Sequence, residues 1–297
     1  MNKLVFHLRN KDLLYSSIIT LFCKLFKITP NEGLIRRRNH IYNRLKKKFY
    51  KNILVYTNNS KPDNEKNKLI WMVWLQNINN APEIVKTCIK SVKNQMKDFT
   101  IKILDEKTIF DYISLPEIVI KKWKDGKIEN AHFSDIVRFS LLSKYGGLWL
   151  DCTVFLTERL PSSIFNVPLF YYSYENDSSM SFGAWFIWSY KSNPIINETL
   201  KLLLEYWTNY DFATDYFVTS LLFRIVSEKN KSISDNIPCV CDRLAHDLAK
   251  NLNKEFSAEN YNIILSHSYI HKLTYKNIDL NRKGTYYDFI VNNKTNE

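Results

Sequence analysis

The stretch Asn130–Leu156, NAHFSDIVRFSLLSKYGGLWLDCTVFL, decides how this chain is read. Nothing from Ala131 to Tyr145 breaks a helix, and Asn130 is of the residue type that caps one. Gly146 and Gly147 supply the positive-φ stop and the turn. Leu148-Trp149-Leu150 is short and wholly apolar, as a buried strand is. Asp151 follows at the strand's carboxyl end, where open α/β sheets bind their ligands.

The helix is apolar around most of its circumference. Phe133, Ile136, Val137 and Leu141 form one stripe at helical spacing, and Phe139 and Leu142 lie opposite, so it should be largely buried. Asp135 and Arg138 nevertheless sit one turn apart on that second side. Buried charges of this kind are either paired with each other or hold a ligand. A structural ion pair and a pair of polar handles beside Asp151 both fit.

Working outward, Leu69–Leu75 (LIWMVWL) reads as the first strand of a buried parallel sheet. A helix starting at Pro82 carries Ile84, Val85, Cys88, Ile89 and Val92 at helical spacing. Thr100–Leu104 is a second strand, and helical stretches follow around 107–113 and 116–123. Downstream, 154–156, 169–174 and 182–189 read as strands, and 261–265 (YNIIL) as another. Helices are expected from Pro194 to about Trp207 and over Asp215–Val226. The alternation of strands and helices indicates an α/β domain with a mostly parallel sheet flanked by helices.

Charge is uneven along the 297 residues. The net charge is +12, and residues 1–60 supply +11 of it with 13 Lys/Arg against 2 Asp/Glu. Residues 1–60 are therefore expected to be a basic helical extension and 61–297 the main domain, with the polar run 58–68 as linker. Leu13–Ile28 is too short and too polar to span a bilayer and reads as a helix that packs on the domain or lies on an anionic membrane surface. Basic runs at Arg36–Arg38 and Lys46–Lys48 suit a solvated helix face or phosphate contact. Five cysteines without CxxC pairs make no disulfide framework and indicate a reducing compartment. Cys239-Val-Cys241 is a weak metal signal, and so is an i, i+4 pair of His267 and His271 on a helix.

The segment SDIVRFSLLSKYGGLWLDCTVF resembles the S-D-[IL]-x-R…Y-G-G-[IL]-[WY]-x-D segment of bacterial capsular polysaccharide synthesis proteins. That family is similar to certain mannosyltransferases and to the glucosylating clostridial toxins. The resemblance implies a GT-A (Rossmann-like) fold and a glycosyltransferase, of retaining type, using a nucleotide sugar, with a UDP-sugar favoured. It implies a divalent cation, Mn²⁺ or Mg²⁺, on an Asp-x-Asp motif, and here that motif reads Asp151-Cys152-Thr153, as it does with Asp-Ala-Thr in the capsular branch. The substitution leaves the metal site one carboxylate short. The run His271-Lys272-Leu273-Thr274-Tyr275-Lys276 resembles the family's C-terminal part, where a histidine closing the metal shell and lysines on the diphosphate are implied. The pattern Ile70-Trp71-Met72-Val73-Trp74 matches a first-strand element whose aromatic, Trp74 here, stacks on the base. Asp215-Tyr216-Phe217 matches an acceptor-side Asp-Tyr-Phe, with a helix-start charge as the plainer explanation of Asp215.

The expected division of labour follows. Asp151 and Asp215 are the candidate catalytic carboxylates. Ser134, Asp135 and Arg138 orient the donor sugar, and Trp74, Lys272 and Lys276 hold the nucleotide diphosphate. Asp151, Thr153 and His271 bind the metal. The acceptor is a glycan or lipid-linked glycan, met at the inner face of the cytoplasmic membrane, and nucleic acid is not the expected partner. A catalytically inactive GT-A protein that binds glycan or nucleotide is the alternative. No Walker A loop, GxGxxG or GxSxG element competes.

Overall fold

The computed structural model describes residues 13–27, 29–57, 68–174, 180 and 182–292. Most of the expected linker, 58–67, lies outside the described residues. Six strands form the main sheet: β1 (Leu69–Val73), β2 (Thr100–Leu104), β3 (Gly147–Leu150), β5 (Leu169–Ser173), β6 (Gly183–Ser189) and β7 (Cys239–Cys241). Their order is β2-β1-β3-β6-β5-β7. β1 runs parallel to both β2 and β3, β5 runs parallel to β7, and β6 alone of the six is antiparallel to its neighbours. This is the mostly parallel α/β sheet that the sequence implies. A two-stranded antiparallel ribbon joins β4 (Val154–Leu156) to β8 (Ile270–Lys272), near the chain's other end.

The strands read as unbroken apolar runs because both faces are covered. Trp71, Val73, Trp149 and Ile187 enter one core, and Ile70, Met72, Leu148, Leu150, Phe186 and Trp188 enter the other, alternating along each strand. The first core is shared with α2 (Pro30–Phe49), α4 (Glu117–Lys124), α5 (Asn130–Tyr145), α6 (Pro194–Asn209) and α7 (Val218–Lys229). The second is closed by α3 (Glu83–Gln95), with Ile84, Val85, Cys88, Ile89 and Val92 inward as their spacing indicated. Before α2 lies α1 (Leu13–Leu25), and after α7 come α8 (Ala258–His267) and α9 (Tyr286–Asn292).

The glycine turn locks α5 to the sheet. Gly146 and Gly147 have φ of 66° and 97°. A Cβ on Gly147 would stand 2.7 Å from the Leu69 carbonyl oxygen, and one on Gly146 2.5 Å from the Lys191 backbone nitrogen. Trp71 Nε1 donates to the Gly146 carbonyl at 2.9 Å, fixing the turn against β1.

Several local expectations are corrected. Glu129, not Asn130, is the N-cap of α5, and Asn130 Oδ1 instead accepts from Trp123 Nε1 at 2.9 Å. YNIIL is helical, within α8, whose N-terminus the Ser257 side chain caps at Asn260; Ile264 is its buried residue and Ile263 is exposed. His267 ends α8 and His271 lies on β8, so the two do not share a helix. Asp215 precedes α7 by three residues.

The basic N-terminal segment is bonded to the sheet domain through α2. Its Ile41, Tyr42, Leu45 and Phe49 lie in the first core. Lys46 Nζ reaches Glu228 of α7 at 2.6 Å, and Arg37 and Arg38 pair with Asp215 at 3.6 and 3.3 Å. Among the described residues no helix is long and apolar enough to cross a membrane.

Candidate active site

A cavity of about 500 Å³ opens at the carboxyl ends of β1 and β3, where Val73-Trp74 and Asp151-Cys152-Thr153 leave the sheet. One wall is the α5 turn bearing His132, Ser134, Asp135 and Arg138. The segment Lys272–Lys276, from the last residue of β8 onward, forms another, and Tyr216–Ser220 at the start of α7 a third.

The charges form one chain of bonds. Arg138 Nη1 donates to Asp135 Oδ1 at 2.8 Å, and its Nη2 to Asp151 Oδ1 at 3.0 Å. Trp149 Nε1 donates to that same Asp151 oxygen at 2.9 Å. Lys272 Nζ donates to Asp151 Oδ2 at 2.7 Å and to Thr153 Oγ1 at 2.6 Å. Thr219 Oγ1 donates to Asp135 Oδ2 at 2.6 Å. The Arg138 guanidinium also lies 4.7 Å from the Trp149 ring centroid. The Asp135–Arg138 pair is an ion pair, and it lines the cavity beside Asp151.

This network sets the protonation of Asp151. Burial alone would raise its pKa, but Lys272 and Arg138 outweigh that and bring it down to about 2. Cys152 turns the other way, donating its Sγ proton to the Val73 carbonyl, and burial pushes the thiol up to about 12. The middle residue of the motif thus anchors the loop to β1 and is not a nucleophile.

Trp74 stands at the cavity rim, its ring edge-on to Tyr275 with centroids 5.4 Å apart. Among the described residues its buried Nε1 has no hydrogen-bond partner, and the same holds for His132 Nδ1 and Arg138 Nε in the α5 wall. Lys276 lines the cavity, and among the described residues no carboxylate lies within ion-pair distance of it.

The structure thus brings Trp74, Ser134, Asp135, Arg138, Asp151, Thr153, Lys272 and Lys276 to one cavity. It does not bring Asp215 or His271 there. Asp215 is buried, with Oδ1 accepting from Arg38 Nε and from the Phe217 backbone N–H at 2.9 Å. His271 alternates with Lys272 on β8, so one faces the cavity and the other the core. Burial lowers its pKa to about 4, which keeps it neutral.

Of the expected metal ligands, Asp151 and Thr153 meet at the cavity and His271 does not line it. Lys272 Nζ bridges Asp151 and Thr153, and all the oxygens of that pair already accept charged or indole donors. Among the described residues no group of three His, Cys, Asp or Glu could hold an ion. Mg²⁺ and Mn²⁺ favour several oxygen ligands, and this donor set does not suit them.

Sequence reading missed Thr219 as a cavity residue, and it quoted Tyr216 and Tyr275, which also line the cavity, within motifs without giving them a role. The available signal was the adjacent hydroxyl pair Thr219-Ser220 inside an otherwise apolar helix, where each hydroxyl needs a partner.

The model of the capsular polysaccharide synthesis protein family matches residues 24–290. The O-glycosyltransferase braB of Annulohypoxylon truncatum is 25% identical over 159 residues, covering 47% of this chain and 38% of that protein's length. Among solved structures, the PaToxG glycosyltransferase superposes with a TM-score of 0.42 at 16% identity, covering 67% of this chain and 79% of that one. A transferase carrying two Cys-to-Ser substitutions gives a TM-score of 0.32 at 12% identity, covering 60% of this chain and 91% of that one. With residues 24–290, most of the chain, matched by the family pattern, the chain belongs to the capsular polysaccharide synthesis protein family.

Proposed function

We propose that this protein is a glycosyltransferase of capsular or cell-surface polysaccharide synthesis. It moves a hexosyl group from a nucleotide-sugar donor, a UDP-sugar by first preference, to a glycan or lipid-linked glycan. The observation that carries this is the Asp135–Arg138–Asp151–Lys272 network, set in a cavity at the ends of β1 and β3.

The roles follow from chemistry. Trp74 and Tyr275 offer aromatic surface for the base. Ser134, Asp135 and Arg138 offer both acceptors and donors for sugar hydroxyls, and charged hydrogen bonds of this type are worth roughly 1.5–3 kcal/mol each. Lys272 and Lys276 face the diphosphate. Asp151, ionised at neutral pH, holds Lys272 and Arg138 in place and presents its charge to the developing positive centre at the anomeric carbon. Retention of the anomeric configuration comes with the family reading. Asp215 acts at a distance, fixing the Tyr216-Phe217 wall through the Phe217 N–H.

The basic, apolar N-terminal part suits an anionic membrane at the cytoplasmic face, where a lipid-linked acceptor is met. Ile18, Leu21, Leu25, Phe26 and Leu34 are exposed there beside Arg36 and Lys27. The test of the transferase reading is nucleotide release from UDP-, GDP- and CMP-sugars with added membrane extract as acceptor. Release from one donor, abolished by Asp151→Ala, is the expected result. Donor binding without any release would favour the catalytically inactive reading.

A further inference from the structure

We infer that the Lys272 ammonium stands where a divalent cation would sit in a two-carboxylate site, so that donor binding and transfer proceed without metal. The inference rests on the proposed nucleotide-sugar reading of the same cavity.

Three observations carry it. First, Lys272 Nζ touches both oxygen-bearing side chains of the Asp151-Cys152-Thr153 motif, at 2.7 and 2.6 Å. Those are the two positions from which a metal would be ligated. Second, the residue that gives up a carboxylate gains a lysine: Thr153 is neutral, and its hydroxyl accepts from Lys272. Paired carboxylates need a dication to receive a diphosphate, whereas one carboxylate with one ammonium does not. Third, the cavity is already cationic. Its charged lining comprises Asp135 and Asp151 against Arg138, Lys272 and Lys276. Adding a dication would place like charge against Nζ, and adding a nucleoside diphosphate neutralises the excess.

The β4–β8 ribbon explains the placement. Val154 pairs with Lys272 in register, so the residue after the motif holds the lysine's backbone beside it. The Leu273 N–H donates to the Thr153 carbonyl at 2.9 Å, clamping the next step.

In the transfer, the bond from the anomeric carbon to the β-phosphate oxygen breaks, and its electron pair remains on that oxygen. A bond forms from the acceptor hydroxyl oxygen to the anomeric carbon, and the hydroxyl proton passes to the departing diphosphate. Lys272 and Lys276 stabilise the charge gathering on the diphosphate, as a dication otherwise would.

The experiment titrates UDP, GDP and CDP into the full chain, once in excess EDTA and once with Mn²⁺ or Mg²⁺. One diphosphate should bind with a dissociation constant that changes less than about threefold between the two conditions. Lys272→Met should weaken that binding at least about tenfold, without rescue by Mn²⁺. Thr153→Asp combined with Lys272→Ala should make binding metal-dependent. Binding to the wild-type chain that requires metal, or Lys272→Met binding as tightly as wild type, would overturn the inference and leave the transferase reading standing. Failure of every diphosphate under both conditions would overturn the donor reading, and the inference with it. If the variants do not fold, the EDTA comparison on the wild-type chain decides alone.

Discussion

Lys272 and Asp151 are 121 residues apart in sequence and share a hydrogen bond of 2.7 Å between Nζ and Oδ2. Arg138 reaches the other oxygen of the same carboxylate from α5. One carboxylate thus orients two cations brought from opposite halves of the chain.

Asp151→Asn should lower turnover of the cognate donor by about 10²–10³, the scale lost with a preorganised charge in an acyl- or glycosyl-transfer site. Circular dichroism should show the fold retained, since the amide still accepts from Trp149. Turnover within about threefold of wild type would remove Asp151 from the chemistry.

The buried His271 predicts an acid-sensitive stability. Its pKa falls from 6.5 to about 4 on folding, so the unfolded chain binds the proton more readily. The stability is fully present above pH 6.5 and is lost as pH falls towards 4, by about 3 kcal/mol for this group. Urea midpoints of wild type should drop steeply through that window, and those of His271→Leu should drop less. Parallel curves would show that His271 is not the responsible group.

Gly147→Ala should destabilise the protein by about 2–4 kcal/mol, because the backbone has φ of 97° and the added Cβ meets the Leu69 carbonyl at 2.7 Å. The clash lies on the β1–β3 pairing itself. A thermal midpoint unchanged from wild type would contradict the geometry of that turn.

Asp215→Ala should reveal a positioning residue through a split between stability and turnover. Its carboxylate sits between the guanidinium groups of Arg37 and Arg38, both bonded to it from α2. Removing it leaves buried cation without that partner, at a cost of about 3–5 kcal/mol. Turnover per folded molecule should stay within about threefold, with the larger change in KM for the acceptor. A full loss of turnover in a variant of normal stability would make Asp215 a catalytic residue instead.

Leu21→Asp with Leu25→Asp should weaken binding to vesicles containing phosphatidylglycerol at least about tenfold, given the apolar area each leucine would bury. Both side chains are exposed, at 59% and 69%, so the fold should not change. Equal binding by wild type and variant would remove the membrane from the proposal.

The sequence by itself determined the sheet's central strands, the helix between them and the cavity's main wall. Those features are local: Gly146 and Gly147 must take positive φ, Leu148–Leu150 can only be buried, and Asp135, Arg138 and Asp151 lie within one helix–turn–strand unit. Tertiary structure decided what no local pattern carries. YNIIL has the same apolar look as a strand, and it lies in a helix capped by Ser257. His271 and Lys272 are neighbours in sequence, and the alternation of β8, set by pairing with β4, sends one to the core and the other to Asp151. Whether a lysine or a metal stands at the motif is decided by contacts across that ribbon, since charge neutralisation acts through space and leaves no periodicity in the chain.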